Sequence, residues 1–155
     1  MAEKKSWILP LVILAAAAVL GGVAWYFRDY FEPPPAQLLP LDDCDLHKGA
    51  CSRTLPGGGE VIFAIEPRDI PLTRPLELIV QTKNLAVDKA EVDFSGVSMN
   101  MGYNRPLLQK VAEGRFEGEG LLPVCIRQRM DWEARLILRT DRGGFIIPWR
   151  FETVK

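Results

Sequence analysis

Residues 130–154 read MDWEARLILRT, DRGG and FIIPWRFETV, and this stretch decides the fold class. In its first part Trp132, Ala134, Leu136 and Leu138 alternate with Glu133, Arg135 and Arg139. A period of two puts one set of side chains on a covered face and the other toward water, the pattern of a half-buried strand. Asp141-Arg142-Gly143-Gly144 supplies a turn, and a second β-branched and aromatic run follows it. Pro148 interrupts that run; lacking a backbone N–H for a ladder, it belongs at a sheet edge or a bulge.

Upstream the same pattern repeats. EVIFAIE (Glu60–Glu66) and PLELIVQTK (Pro75–Lys83) are apolar runs bounded by Gly57-Gly58-Gly59, Pro67, Pro71 and Asn84. KAEVDFSGV sets Ala90, Val92 and Phe94 against Glu91 and Asp93, and GRFEGEGLLPVCI places Phe116 between charged residues before turning apolar at Leu121. Turn signals recur every 8 to 12 residues or so, with about seven strands and no amphipathic helix, which predicts an all-β, immunoglobulin-like antiparallel β-sandwich.

The front of the chain is of another kind. Trp7–Phe27, WILPLVILAAAAVLGGVAWYF, is an uncharged run with aromatic residues at both ends. Roughly 20 such residues cross a hydrocarbon layer of ~30 Å as a helix. Lys4 and Lys5 precede the run, while Arg28 is offset by Asp29, so the amino end is expected to stay in the cytoplasm. A cleaved signal peptide is the rival reading, but its apolar core is usually ~7 to 15 residues and ends in a small-x-small site. Gly22-Val23-Ala24, crowded by aromatics, serves poorly as one. The expected layout is a cytoplasmic segment 1–6, a transmembrane anchor 7–27, a proline-rich linker 28–43 and a periplasmic β-sandwich domain 44–155, in a bacterial inner membrane. Pro33, Pro34 and Pro35 favour an extended spacer within the linker. A formal charge of −1, with no basic stripe, sets nucleic acid aside as a partner.

Cys44 and Cys51 bracket a short loop, and an exporting compartment favours a disulfide between them. Two alternatives stand beside it. Cys44-x2-His47-x3-Cys51 with Cys125 has the makings of a Cys3His zinc site, and Cys125 is also able to pair with either of the other cysteines. Cys125 otherwise reads as a small buried hydrophobe or, as a further alternative, a redox-active thiol of low pKa. One histidine is too few for an acid-base set, and Gly57–Gly59 has no P-loop lysine after it. Glu91, Asp93, Asp131 and Glu133 read as a solvated face, so no catalysis is expected.

VSMNMGYNRPLLQ, Val97–Gln109, carries the sharpest chemistry. On a strand, Met99 and Met101 leave from one face about 6 to 7 Å apart. Thioether sulfur is soft and suits Cu(I), with Met130, Cys125 or His47 as further ligands. The competing reading is that these methionines fill irregular core space. The same stretch, through Tyr103, Arg105 and Leu107, also suits docking to a protein partner, because tyrosine and arginine often anchor interfaces.

Met99, Met101, Gly102, Pro106, Gly114, Phe116, Gly118 and Trp132, from about Leu76 to Leu138, resemble the FixH-like and YtkA-like periplasmic domains. That resemblance implies a membrane-tethered immunoglobulin-like sandwich that handles copper or assists assembly of haem-copper oxidases. It implies metal contact through Met99, Met101 and Met130, copper as the cofactor, and a membrane-protein complex as the partner. The chain departs from the pattern at Tyr103, where the family often has histidine, and at Cys125 and Met130, whose spacing differs. A metal site carried over whole would therefore lack a nitrogen ligand.

Overall fold

The computed structural model describes residues 4–31, 35–124, 127–141 and 143–155. The chain divides into two compact units, Met1–Pro34 and Pro35–Lys155. In the first, α1 (Lys4–Phe31) holds an apolar span, Leu9–Tyr26, that is long enough to cross a membrane. Its described side chains are exposed, as lipid-facing ones would be.

The second unit is β-rich. Its strands are β1 (Ala36–Leu38), β2 (Cys51–Thr54), β3 (Glu60–Glu66), β4 (Pro75–Lys83), β5 (Val87–Gly96), β6 (Leu107–Ala112), β7 (Arg115–Leu121), β8 (Arg129–Thr140) and β9 (Gly143–Val154). They form one sheet in the order β1-β9-β8-β5-β6-β7-β4-β3-β2. The all-β expectation holds for this unit, but the count of about seven strands does not: nine are present among the described residues, in a single curled sheet. All neighbours are antiparallel except β1 and β9. The three short strands lack the alternation that reveals a strand. β1 is exposed throughout, β2 is the polar CSRT, and β6 buries only Leu108. β1 and a bridge from Asp42 to Trp149 lie in the stretch expected to be spacer, while Pro33 and Pro34 fall outside the described residues.

The curl is set by β6, which pairs with β5 through Leu107 and Leu108 and with β7 through Gln109, Lys110 and Ala112. It brings β3 onto β9, where the rings of Phe63 and Trp149 lie 5.4 Å apart. Strict alternation along β3 and β8 sends Val61, Phe63, Ile65, Trp132, Leu136 and Leu138 into this core. Each such side chain contributes roughly 1.5–3 kcal/mol when fully buried. The indole N–H of Trp132 donates to Thr153 Oγ1 at 2.9 Å, so this polar atom is not buried unpaired. Pro148 faces Arg135 of β8, in the part of β9 beyond its pairing with β1, where a missing donor costs little.

Two unlike ends result. Short turns at 55–59, 84–86 and 113–114 gather at one end of the strands, where β8 also gives way to β9, and the long connections 39–50, 67–74 and 97–106 lead to the other, where β7 ends and β8 begins. At the short end, Gly114 takes a φ of +67°, and a methyl there would stand 2.6 Å from the Thr82 carbonyl oxygen.

Candidate functional site

At the long-loop end the first fixed point is the bond between Cys44 and Cys51. It takes both thiolates from the alternative zinc set and from any pairing with Cys125, which itself lies outside the described residues. Asp42 and Asp45 shape the loop: the amide of Cys44 donates to Asp42 at 2.9 Å and that of His47 to Asp45 at 3.0 Å. The Cys44 amide, and then the Arg53 guanidinium, hold the Asp42 carboxyl below the usual aspartate range. Asp45 is lowered chiefly by the His47 amide. His47 stitches the loop down. Its Nδ1 lies 2.7 Å from the Arg68 carbonyl oxygen and its Nε2 2.7 Å from that of Glu152. Both ring nitrogens face the backbone, so neither is aimed at the methionines.

The methionines meet around a glycine. Met99 and Met101 lie in the loop between β5 and β6, so the one-face spacing that a strand would give them does not apply. The loop turns at Asn100, whose side-chain oxygen accepts the Gly102 N–H at 2.8 Å, and Gly102 supports the turn with a φ of +81°. Met130 arrives separately, at the start of β8, because β5 and β8 pair with Gly96 opposite Trp132. A methyl built on Gly96 would lie 2.3 Å from Met130 Cε, 2.5 Å from the Met99 carbonyl oxygen and 3.2 Å from Met101 Cγ. The Met101 and Met130 side chains and the Met99 backbone carbonyl therefore border the space that a Gly96 side chain would fill. Met130 is buried, while Met99 and Met101 are half-buried and pack against the core. Above them the loop opens as a depression of about 440 Å³, lined by Ser95, Gly96 and residues 97–102. Among the described residues no group of three or more His, Cys, Asp or Glu is placed to hold a metal.

The expected docking residues separate into two roles. Tyr103 is 82% exposed and Leu107 is exposed too, as an interface would require. Arg105 is committed elsewhere. Its guanidinium lies 5.5 Å from the Tyr103 ring centroid and donates to Asp93 at 3.4 Å, and the Asp93 bond raises its pKa. Asp93 is the surprise: expected on a solvated face, it is only 7% exposed, because Arg135 at 2.8 Å and Arg105 cover it. Alternation assigns a side to a side chain but does not report when long arginines fold over it.

No family model matches the chain, and neither curated proteins nor solved structures give a match. The resemblance to FixH-like and YtkA-like domains rests on its motif residues alone. Of those, Gly114 lies in the turn of the β6–β7 hairpin, Phe116 is buried in its second strand, and Trp132 is a core residue. Gly96 was missed in the sequence, where the only hint is a glycine closing the alternating run DFSG.

Proposed function

We propose that this chain is a membrane-anchored periplasmic binding module whose long-loop end makes transient contact with Cu(I) while assisting assembly or copper loading of a respiratory oxidase complex. The convergence of Met99, Met101 and Met130 on Gly96 carries this reading. Met99 and Met101 line the open depression, and Met130, from a distant part of the chain, reaches Gly96 in its wall; thioethers gathered there would suit a soft monovalent ion. The core-packing alternative explains Met130, which is buried, better than the half-buried pair at the mouth. The apolar span in α1 and the lysines before it support the anchor and its direction. The curled antiparallel sheet, with Phe63 of β3 against Trp149 of β9, supports an immunoglobulin-like sandwich as the finer description.

A second, metal-free reading has its own observation. Tyr103 stands almost fully exposed on the same loop, so docking of a membrane-protein partner through Tyr103 and Leu107 needs no metal. Thermal unfolding of the detergent-solubilised protein separates the two. Under the first reading, Cu(I) raises Tm in proportion to ln(1 + [L]/Kd), and exchanging Met99 and Met101 for leucine removes the rise. A melting curve indifferent to Cu(I) removes the metal and leaves the docking surface.

A further inference from the structure

The outer face of β3, β4 and β7 is built unevenly. At the short-turn end Glu60 faces Lys83, and their charges meet at 3.1 Å. At the long-loop end of the same two strands Glu66 faces Glu77, and β7 sets Glu119 directly opposite Glu77 on the other side. Like charges in register across a sheet repel, so this row carries an energetic cost that the opposite end avoids. Arg68 meets Glu66 at 3.3 Å, whereas Glu77 and Glu119 take part in no ion pair among the described residues.

The row lies in a groove. A cleft of about 640 Å³ runs from Glu66 and Pro67 past Glu77 to Glu119. A second, of about 400 Å³, shares Pro75 and Glu119 with it and continues to Leu121 and Tyr103. The Asn104 side-chain amide donates to the Leu121 carbonyl at 2.8 Å, which holds the Tyr103 loop against β7. Arg105, a cation at this wall, is already taken by Asp93 and the Tyr103 ring, so it leaves Glu77 and Glu119 uncompensated. The result is a line of carboxylates beside an apolar and aromatic step.

We propose that this face docks an extended segment of a partner protein in which lysine or arginine alternates with apolar residues. The basic groups would lie on Glu77 and Glu119, and the apolar ones on Pro75, Leu121 and Tyr103. Charge complementarity selects this occupant, and the apolar step, together with carboxylates not placed to hold a metal ion, favours a peptide over a bare cation. None of the three methionines takes part, so the proposal stands or falls apart from the copper reading.

The test uses the full chain in detergent micelles and a fluorescein-labelled peptide alternating lysine and proline, with anisotropy read against empty micelles. Binding is expected, and the double variant Glu77→Gln/Glu119→Gln should weaken it by about tenfold. Removing the same charge at the far end, with Asp88→Asn/Asp141→Asn, should leave it unchanged. Equal weakening by both double variants would reduce the effect to net charge and overturn the proposal. So would the absence of binding above empty micelles, equal binding of a glutamate–proline peptide, or calcium alone displacing the peptide with the same sensitivity to Glu77 and Glu119.

Discussion

The two ends of the β unit solve the same problem, turning the chain between strands, in opposite ways. At the short end the reversals use glycines at positive φ, such as Gly57, Gly58, Gly59 and Gly114, at little steric cost. At the long end two β-branched residues, Ile70 and Thr73, sit at φ of 44° and 58°, a conformation that costs such side chains free energy. The long end also holds the disulfide, the stitched histidine, the methionines and the exposed tyrosine. The contrast teaches that the sheet is a shared scaffold, with economical turns where only closure matters and elaborate connections where side chains must be aimed.

Breaking the scaffold should affect both ends at once. Phe63→Ala removes the ring that meets Trp149 across the curl and should cost about 3–5 kcal/mol in denaturant unfolding. Two glycines then separate the ends. Gly96→Ala drives a methyl into the Met99 carbonyl and the Met130 side chain, and Gly114→Ala drives one into the Thr82 carbonyl at a positive φ. Each should cost about 1–3 kcal/mol. Only Gly96→Ala should also abolish the Cu(I)-dependent rise in Tm; loss of that rise in both would mean the ends are not independent.

The smallest effect is electrostatic. Asp42 has a depressed folded pKa, so its contribution is complete above the ordinary aspartate range and fades as pH falls through that range toward the folded value. Asp42→Asn should cost about 0.5–1 kcal/mol at neutral pH, through the lost pairing with Arg53. In acid the two proteins should converge in stability. A deficit that persists undiminished on acidification would place the effect in packing.

How much of this was legible follows from the period of each signal. β3 and β4 were readable to the residue, because apolar runs met glycine, proline and asparagine at both ends. β1, β2 and β6 were not, because a strand held by its neighbours needs no alternation of its own. The methionines were legible as residue types and Cys44–Cys51 as a pair. Their common meeting point at Gly96 was not, since it depends on the β5–β8 register and on the Asn100 turn, both settled by tertiary pairing. Asp93 was misplaced for a related reason: its cover comes from Arg105 and Arg135, residues far away in the chain.

The chain holds four methionines, and the three at the long end are joined by Met1, which serves as an internal control. Methyl-labelled methionine NMR of the detergent-solubilised protein during Cu(I) titration therefore reads the thioethers themselves. The Met99, Met101 and Met130 methyl signals should move together and saturate at one equivalent while Met1 stays still. Three stationary signals at the long end, or movement of Met1 alone, would contradict the soft-metal reading.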